Sequence, residues 1–84
     1  MTAHVILYST AGCHLCEQAG ALLEQYAAYA RIEIRELDIL DTHPDSTELH
    51  AAIPFLEHPA SGARLFWPFD AAQLHRWIQH EAYT

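Results

Sequence analysis

The sequence predicts an α/β fold built on a mixed sheet, with elements in the order β-α-β-α-β-β-α. Three observations carry this. A short run apolar on both faces, residues 4–8, leads through a turn into a long stretch of helical spacing. A second strand-like run follows that helix, which is the separation a parallel pair needs for its crossover. The last third then holds two strand-like runs around a turn, closed by a capped helix.

Each element has its own reason. His4, Val5, Ile6, Leu7 and Tyr8 are rich in β-formers and lack polar alternation, as a buried central strand should. Ser9, Thr10, Ala11 and Gly12 form a turn, with Gly12 permitting a sharp bend. From residue 13 to about 30 the spacing is helical, with Leu15, Ala19, Leu22, Leu23 and Tyr26 on one face and alanines adding propensity. Arg31 to Arg35 alternates as a half-exposed edge strand, its charges guarding against pairing with another chain. The alternation slips at Glu36 and resumes in the opposite phase at Leu37 to Ile39, which predicts a bulge or an early end. Residues 41–43 read as a loop. Pro44 then opens a short helix with Asp45 and Glu48 near its start, and this helix ends before Ile53-Pro54. Residues 55–58 and 63–67 pair as a hairpin across Pro59-Ala60-Ser61-Gly62. Pro68 stops the second strand. Asp70 and Gln73 have capping-box spacing, and the last helix carries Leu74, Trp77 and Ile78 on one face. Phe55, Phe66, Trp67, Phe69 and Trp77 are expected mostly in the core, with Trp67 or Phe69 as rim residues in the alternative.

Eighty-four residues without repeats or a linker predict one domain, residues 1–84. Four arginines and no lysine stand against eleven acidic residues, a net charge of −7. Such a chain lacks the cations that neutralise phosphates, so neither nucleic acid nor an anionic membrane is expected as a partner. Seven histidines make the charge responsive to mild acid. The N-terminus has no basic region ahead of its short apolar run, and no apolar run approaches the roughly 20 residues of a membrane span. A cytoplasmic, reducing location is therefore expected. In that setting a close cysteine pair reads as redox-active or metal-binding rather than as a structural staple.

Cys13-His14-Leu15-Cys16 is the sharpest feature. Two residues three apart at a helix start face the same side, so their sulfurs can meet. The first sits where free N–H groups and the helix dipole favour a thiolate, the attacking species in disulfide exchange. Cys13 is thus the candidate nucleophile and Cys16 the candidate resolving cysteine. Protonated His14 would lower the Cys13 pKa and Glu17 would raise it. A structural zinc site generally needs four ligands, and no second cysteine pair is present; a c-type haem site needs His where Glu17 stands. Redox-competent thiols are the first reading, with a metal site and inert buried cysteines as the alternatives.

The strand, the CxxC at a helix start, and Ile53-Pro54 ahead of a hairpin resemble the thioredoxin superfamily in its short glutaredoxin form. Leu7-Tyr8-Ser9 before the CxxC, and Trp67-Pro68-Phe69-Asp70 before the last helix, are similar to a small, largely uncharacterised bacterial glutaredoxin-like family. The resemblance covers nearly the whole chain. It implies a thioredoxin-like, glutaredoxin-type fold: a four-stranded mixed sheet with helices on both faces. It also implies a cis bond at Ile53–Pro54 beside the cysteines, with the backbone of Ile53 pairing with an extended substrate chain.

Two departures bear on glutathione. Family members that use it carry a basic residue near the CxxC and a Gly-Gly followed by Asp before the last helix. Here Ser9 to Gly12 contains neither Lys nor Arg, and Asp70 is accounted for as a helix cap. The resulting expectation is a thiol–disulfide oxidoreductase with no cofactor beyond its own redox-active disulfide. It would act as a monomer on a disulfide-bearing protein or a small thiol, with glutathione disfavoured. A metal or iron–sulfur carrier and a non-catalytic interaction module on the same scaffold are the alternatives.

Overall fold

The computed structural model describes residues 2–83. The central strand β1 (Ala3–Ser9) runs into helix α1 (His14–Ala27), followed by strand β2 (Ile32–Asp38) and two short helices, α2 (Ile39–Thr42) and α3 (Thr47–Ala52). The hairpin β3 (Phe55–Glu57) and β4 (Arg64–Phe66) leads to α4 (Ala71–Trp77), which continues into a π-helical turn (Ile78–Ala82). The strands form one mixed sheet in the order β2-β1-β3-β4. β1 is parallel to β2 and antiparallel to β3, and the hairpin closes the other edge.

β1 is buried on both faces because its alternate residues serve two cores. Val5 and Leu7 meet Ala19 and Leu23 of α1, Leu56, and Leu74 and Trp77 of α4. Ile6 and Tyr8 turn the other way, onto Ile39 and Phe55, with Leu49, Ala52 and Ile53 closing that side. Helices therefore cover both faces, as expected. Between α1 and α4 the Tyr26 hydroxyl lies 2.9 Å from His75 Nδ1. On the other face Tyr8 stacks on Phe55 at 4.8 Å between ring centroids and its hydroxyl donates to Glu57 Oε2 at 3.3 Å. Glu57 Oε1 in turn accepts from Arg64 Nε at 2.8 Å.

Several local expectations are corrected. β2 contains no bulge: its register with β1 is continuous from Ala3 opposite Ile32 to Ser9 opposite Asp38. Glu36, opposite Leu7, lies on the Ile34 side of the sheet, at a point where α1 presents small residues and leaves a groove. The break in alternation is a change of cover, not of backbone. Residues 39–42 are helical rather than strand and loop, because Asp38 caps them by accepting the Leu40 amide at 2.8 Å. α3 starts at Thr47 with Ser46 as its cap, so Pro44 lies ahead of the helix instead of opening it. α1 ends at Ala27 rather than near residue 30, and Leu15 stands 47% exposed, outside the core face assigned to it. Leu15 lies in the first turn of α1 and belongs to neither buried cluster. The π-helical turn had no counterpart in the expected order; it buries Ile78 and Ala82 before Ala3 bridges Tyr83. Phe55, Phe69 and Trp77 are core, whereas Phe66 on edge strand β4 is exposed.

Candidate active site

Gly12, at φ +78°, makes the left-handed bend that turns the chain from β1 into α1. Cys13 follows in extended conformation as the N-cap. Its Sγ accepts the main-chain N–H of Cys16 at 3.1 Å, where an N-cap hydroxyl or carboxylate oxygen commonly sits. The two cysteines form a disulfide, with Cα atoms 5.2 Å apart. Cys16 is only 5% exposed, packed at the helix base, while Cys13 is half-buried. On reduction, that N–H and the helix dipole would face a Cys13 thiolate and favour it over the thiol.

The other predicted site residues divide. Glu17 lines the same groove as both cysteines. His14 points away into solvent, with Nδ1 3.7 Å from Glu17 Oε2 and its side chain 93% exposed. The Ile53–Pro54 bond is cis. Tyr8 pairs with Phe55, so Pro54 falls one step further toward the end of β1 from which the cysteine loop departs. Pro54 is buried, and its carbonyl accepts the Trp67 amide at 3.1 Å. Ile53 packs onto the Tyr8–Phe55 core. A second cis bond, Trp67–Pro68, stands beside this contact and was not anticipated. Asp70 completes a full capping box: its carboxylate accepts the Gln73 amide at 2.7 Å and its own amide donates to Gln73 Oε1 at 3.0 Å.

The groove, of about 420 Å³, was not foreseen. It runs from Thr10, Ala11 and Gly12 past the disulfide, over Gly20 and Ala21, to Glu17, Glu24 and Glu36. Positions 13, 17, 20 and 24 share one face of a helix, so a stripe of small and acidic residues continuing from Cys13 was the signal in the sequence. Glu36 announced itself only as a break in alternation. Its Oε2 accepts the hydroxyl of the buried Ser9 at 2.7 Å. Among the described residues no group of three or more His, Cys, Asp or Glu side chains is arranged to hold a metal ion. No helix among them is long and apolar enough to cross a membrane.

A cysteine pair at the mouth of the first helix, served by the central strand of a β2-β1-β3-β4 sheet, is the arrangement of a thioredoxin-like protein of the short type. Comparison with known proteins agrees and narrows the class. The model of the glutaredoxin-like domain (DUF836) matches residues 4–79, and the chain belongs to that family. A solved X-ray structure, target protein XcR50 from X. campestris, is 35% identical and superimposes with a TM-score of 0.72. The match covers 89% of this chain and 95% of that one. No curated protein matches the sequence. The family and the Cys13–Cys16 disulfide together support a thioredoxin-like redox role.

Proposed function

We propose that this protein is a thiol–disulfide oxidoreductase with a dithiol mechanism. The observation that carries it is the asymmetry of the bonded pair: Cys13 is accessible at a helix N-cap and Cys16 is buried one turn in. In the reduced protein the Cys13 thiolate attacks a substrate disulfide. A Cys13–substrate bond forms, the substrate S–S bond breaks, and one substrate sulfur leaves as a thiolate that takes up a proton. Cys16 then loses its proton and attacks Cys13 Sγ. The 13–16 disulfide forms and the second substrate thiol is released. Two electrons pass to the substrate, and an external thiol or dithiol returns them to the protein.

Ile53 and Pro54 are the proposed substrate-binding residues, with the Ile53 backbone aligning an extended chain beside Cys13. His14 and Glu17 are the proposed tuning pair; their mutual approach on the exposed side makes each a partial screen for the other. The partner is a disulfide-bearing protein or small thiol in a reducing compartment such as the cytoplasm. Glutathione is a poor candidate, because no Lys or Arg lines the groove and the Asp70 carboxylate is engaged by its own helix.

Trapping tests this. Cys16→Ser should accumulate a mixed disulfide at Cys13, releasable by dithiothreitol, and Cys13→Ser should accumulate none. If both cysteines of the reduced protein resist alkylation at neutral pH, and mild oxidation fails to join them, the proposal is wrong.

A further inference from the structure

The groove beside the disulfide has a one-sided chemistry. Its floor is Gly20 and Ala21, which leave room for a guest, and the disulfide stands in its wall. Glu17 and Glu24 come from α1 and Glu36 faces them from β2. No basic side chain is among its lining residues. Among the described residues neither Glu24 nor Glu36 has a basic partner, and Glu17 has only the solvent-exposed His14. Glu36 is also held in place, since the hydroxyl of the buried Ser9 fixes one of its oxygens and leaves the other open. A guest need not meet these acids for any purpose of its own. It must meet them because the sulfur it has to reach stands in the same groove.

Resting on the redox reading above, we propose that this groove makes the protein selective for disulfides that carry positive charge. The favoured substrate has an ammonium or guanidinium group a few bonds from its sulfur, on a small amine or on a basic stretch of polypeptide. Such a group approaches carboxylates that lack cations of their own, and the encounter is accelerated. A carboxylate-bearing disulfide meets like charge on the same path and is slowed. Selection would therefore act mainly on the rate of encounter and would weaken as salt shortens the screening length. Glu24 and Glu36 are the specificity-determining residues; they take no part in the electron transfer, which remains the step at Cys13 and Cys16 described above.

Three small disulfides test it: cystamine (cationic), hydroxyethyl disulfide (neutral) and dithiodipropionate (anionic). Each is mixed with the reduced protein at low ionic strength, and formation of the 13–16 disulfide is followed by acid quench and mass spectrometry. Rates are normalised to the reaction of each disulfide with free mercaptoethanol, which removes differences in intrinsic reactivity. The expected normalised order is cationic, neutral, anionic, with at least about a tenfold span from first to last. High salt should collapse that span, and Glu24→Gln with Glu36→Gln should reduce it severalfold. A lysine-flanked cystine peptide run beside cystamine identifies the source: whichever reacts faster marks the groove as built for polypeptide or for small amines. Equal normalised rates, or a faster anionic disulfide, would overturn the charge selection while leaving the oxidoreductase reading intact. No reaction with any of the three would remove that reading and this one with it.

Discussion

The main-chain amide of Cys16 points at Sγ of Cys13 from 3.1 Å, so the more buried cysteine supplies the backbone donor that serves the more exposed one. The consequence is kinetic asymmetry in the reduced protein. Limiting iodoacetamide at neutral pH should modify Cys13 before Cys16, by about tenfold or more at early times, because both thiolate character and access favour it. Peptide mapping after a timed quench reads the ratio. Comparable labelling of the two would contradict the division of roles between them.

Asp70 binds both ends of its capping box, and its removal should cost stability without touching the redox pair. Asp70→Ala is expected to lose about 1 kcal/mol, within a range of roughly 0.5–2. For a domain of this size each kcal/mol lowers Tm by about 4–8 °C. Thermal melts followed by circular dichroism measure this, with the cysteine alkylation rates as the control that should stay unchanged. Asp70→Asn should lose much less, since asparagine also caps well.

Tyr8 supplies a pH dependence. Burial, then the negative charge of Glu57 and the hydrogen bond to it, push its phenol above the ordinary value of 10.0, with Arg64 and Arg35 pulling the other way. The folded state thus holds the phenolic proton more tightly than the unfolded chain does. That contribution is complete below pH 10.0 and is lost as pH rises through the folded value. Denaturant melts should show stability falling across this alkaline window, less steeply in Tyr8→Phe. Absorbance titration should show a late-ionising tyrosine in wild type that is missing from the variant. A Tyr8 that ionises at or below the ordinary phenol value of 10.0 would refute the assignment.

Phe55 is fully buried, stacks on Tyr8, meets Phe66 at 5.2 Å and lies beneath the Arg64 guanidinium. Phe55→Ala should cost about 3–5 kcal/mol, a large share of the roughly 5–15 available to a small domain. Urea unfolding gives the value. Leu15→Gln is the contrasting case: its half-exposed side chain belongs to neither core, and the change in stability should stay within about 0.5 kcal/mol.

Leu15 also marks where the sequence stops being legible. Helical spacing assigned it to the buried face with Ala19 and Leu23, but spacing cannot say where the sheet beneath a helix ends. Local chemistry read well: the Gly12 bend, the Asp70–Gln73 box, the hairpin turn with Gly62 at φ +77°, and the cysteine pair itself each depend on a few adjacent residues. The groove did not, because it joins α1 to Glu36, and only the parallel register of β2 places that glutamate opposite Leu7. The Ser46 cap of α3 is obscured by Pro44 and Asp45, which carry start signals of their own two positions and one position earlier. The cis bond at Ile53–Pro54 was accessible only through family resemblance, since nothing in the flanking residues alone requires it.

The bridge between Ala3 and Tyr83 has a topological consequence. It joins the two ends of the described chain side by side at the start of β1. The cysteines lie past the other end of that strand, roughly 20 Å away at about 3.3 Å per residue. The described backbone is therefore nearly a closed ring, with its seam remote from the sulfurs. A short linker across the seam, with new termini opened in the exposed turn at residues 59–62, would give a circular permutant with the same sheet and the same cysteine loop. In such a molecule the order of elements along the chain changes while the surroundings of Cys13 do not.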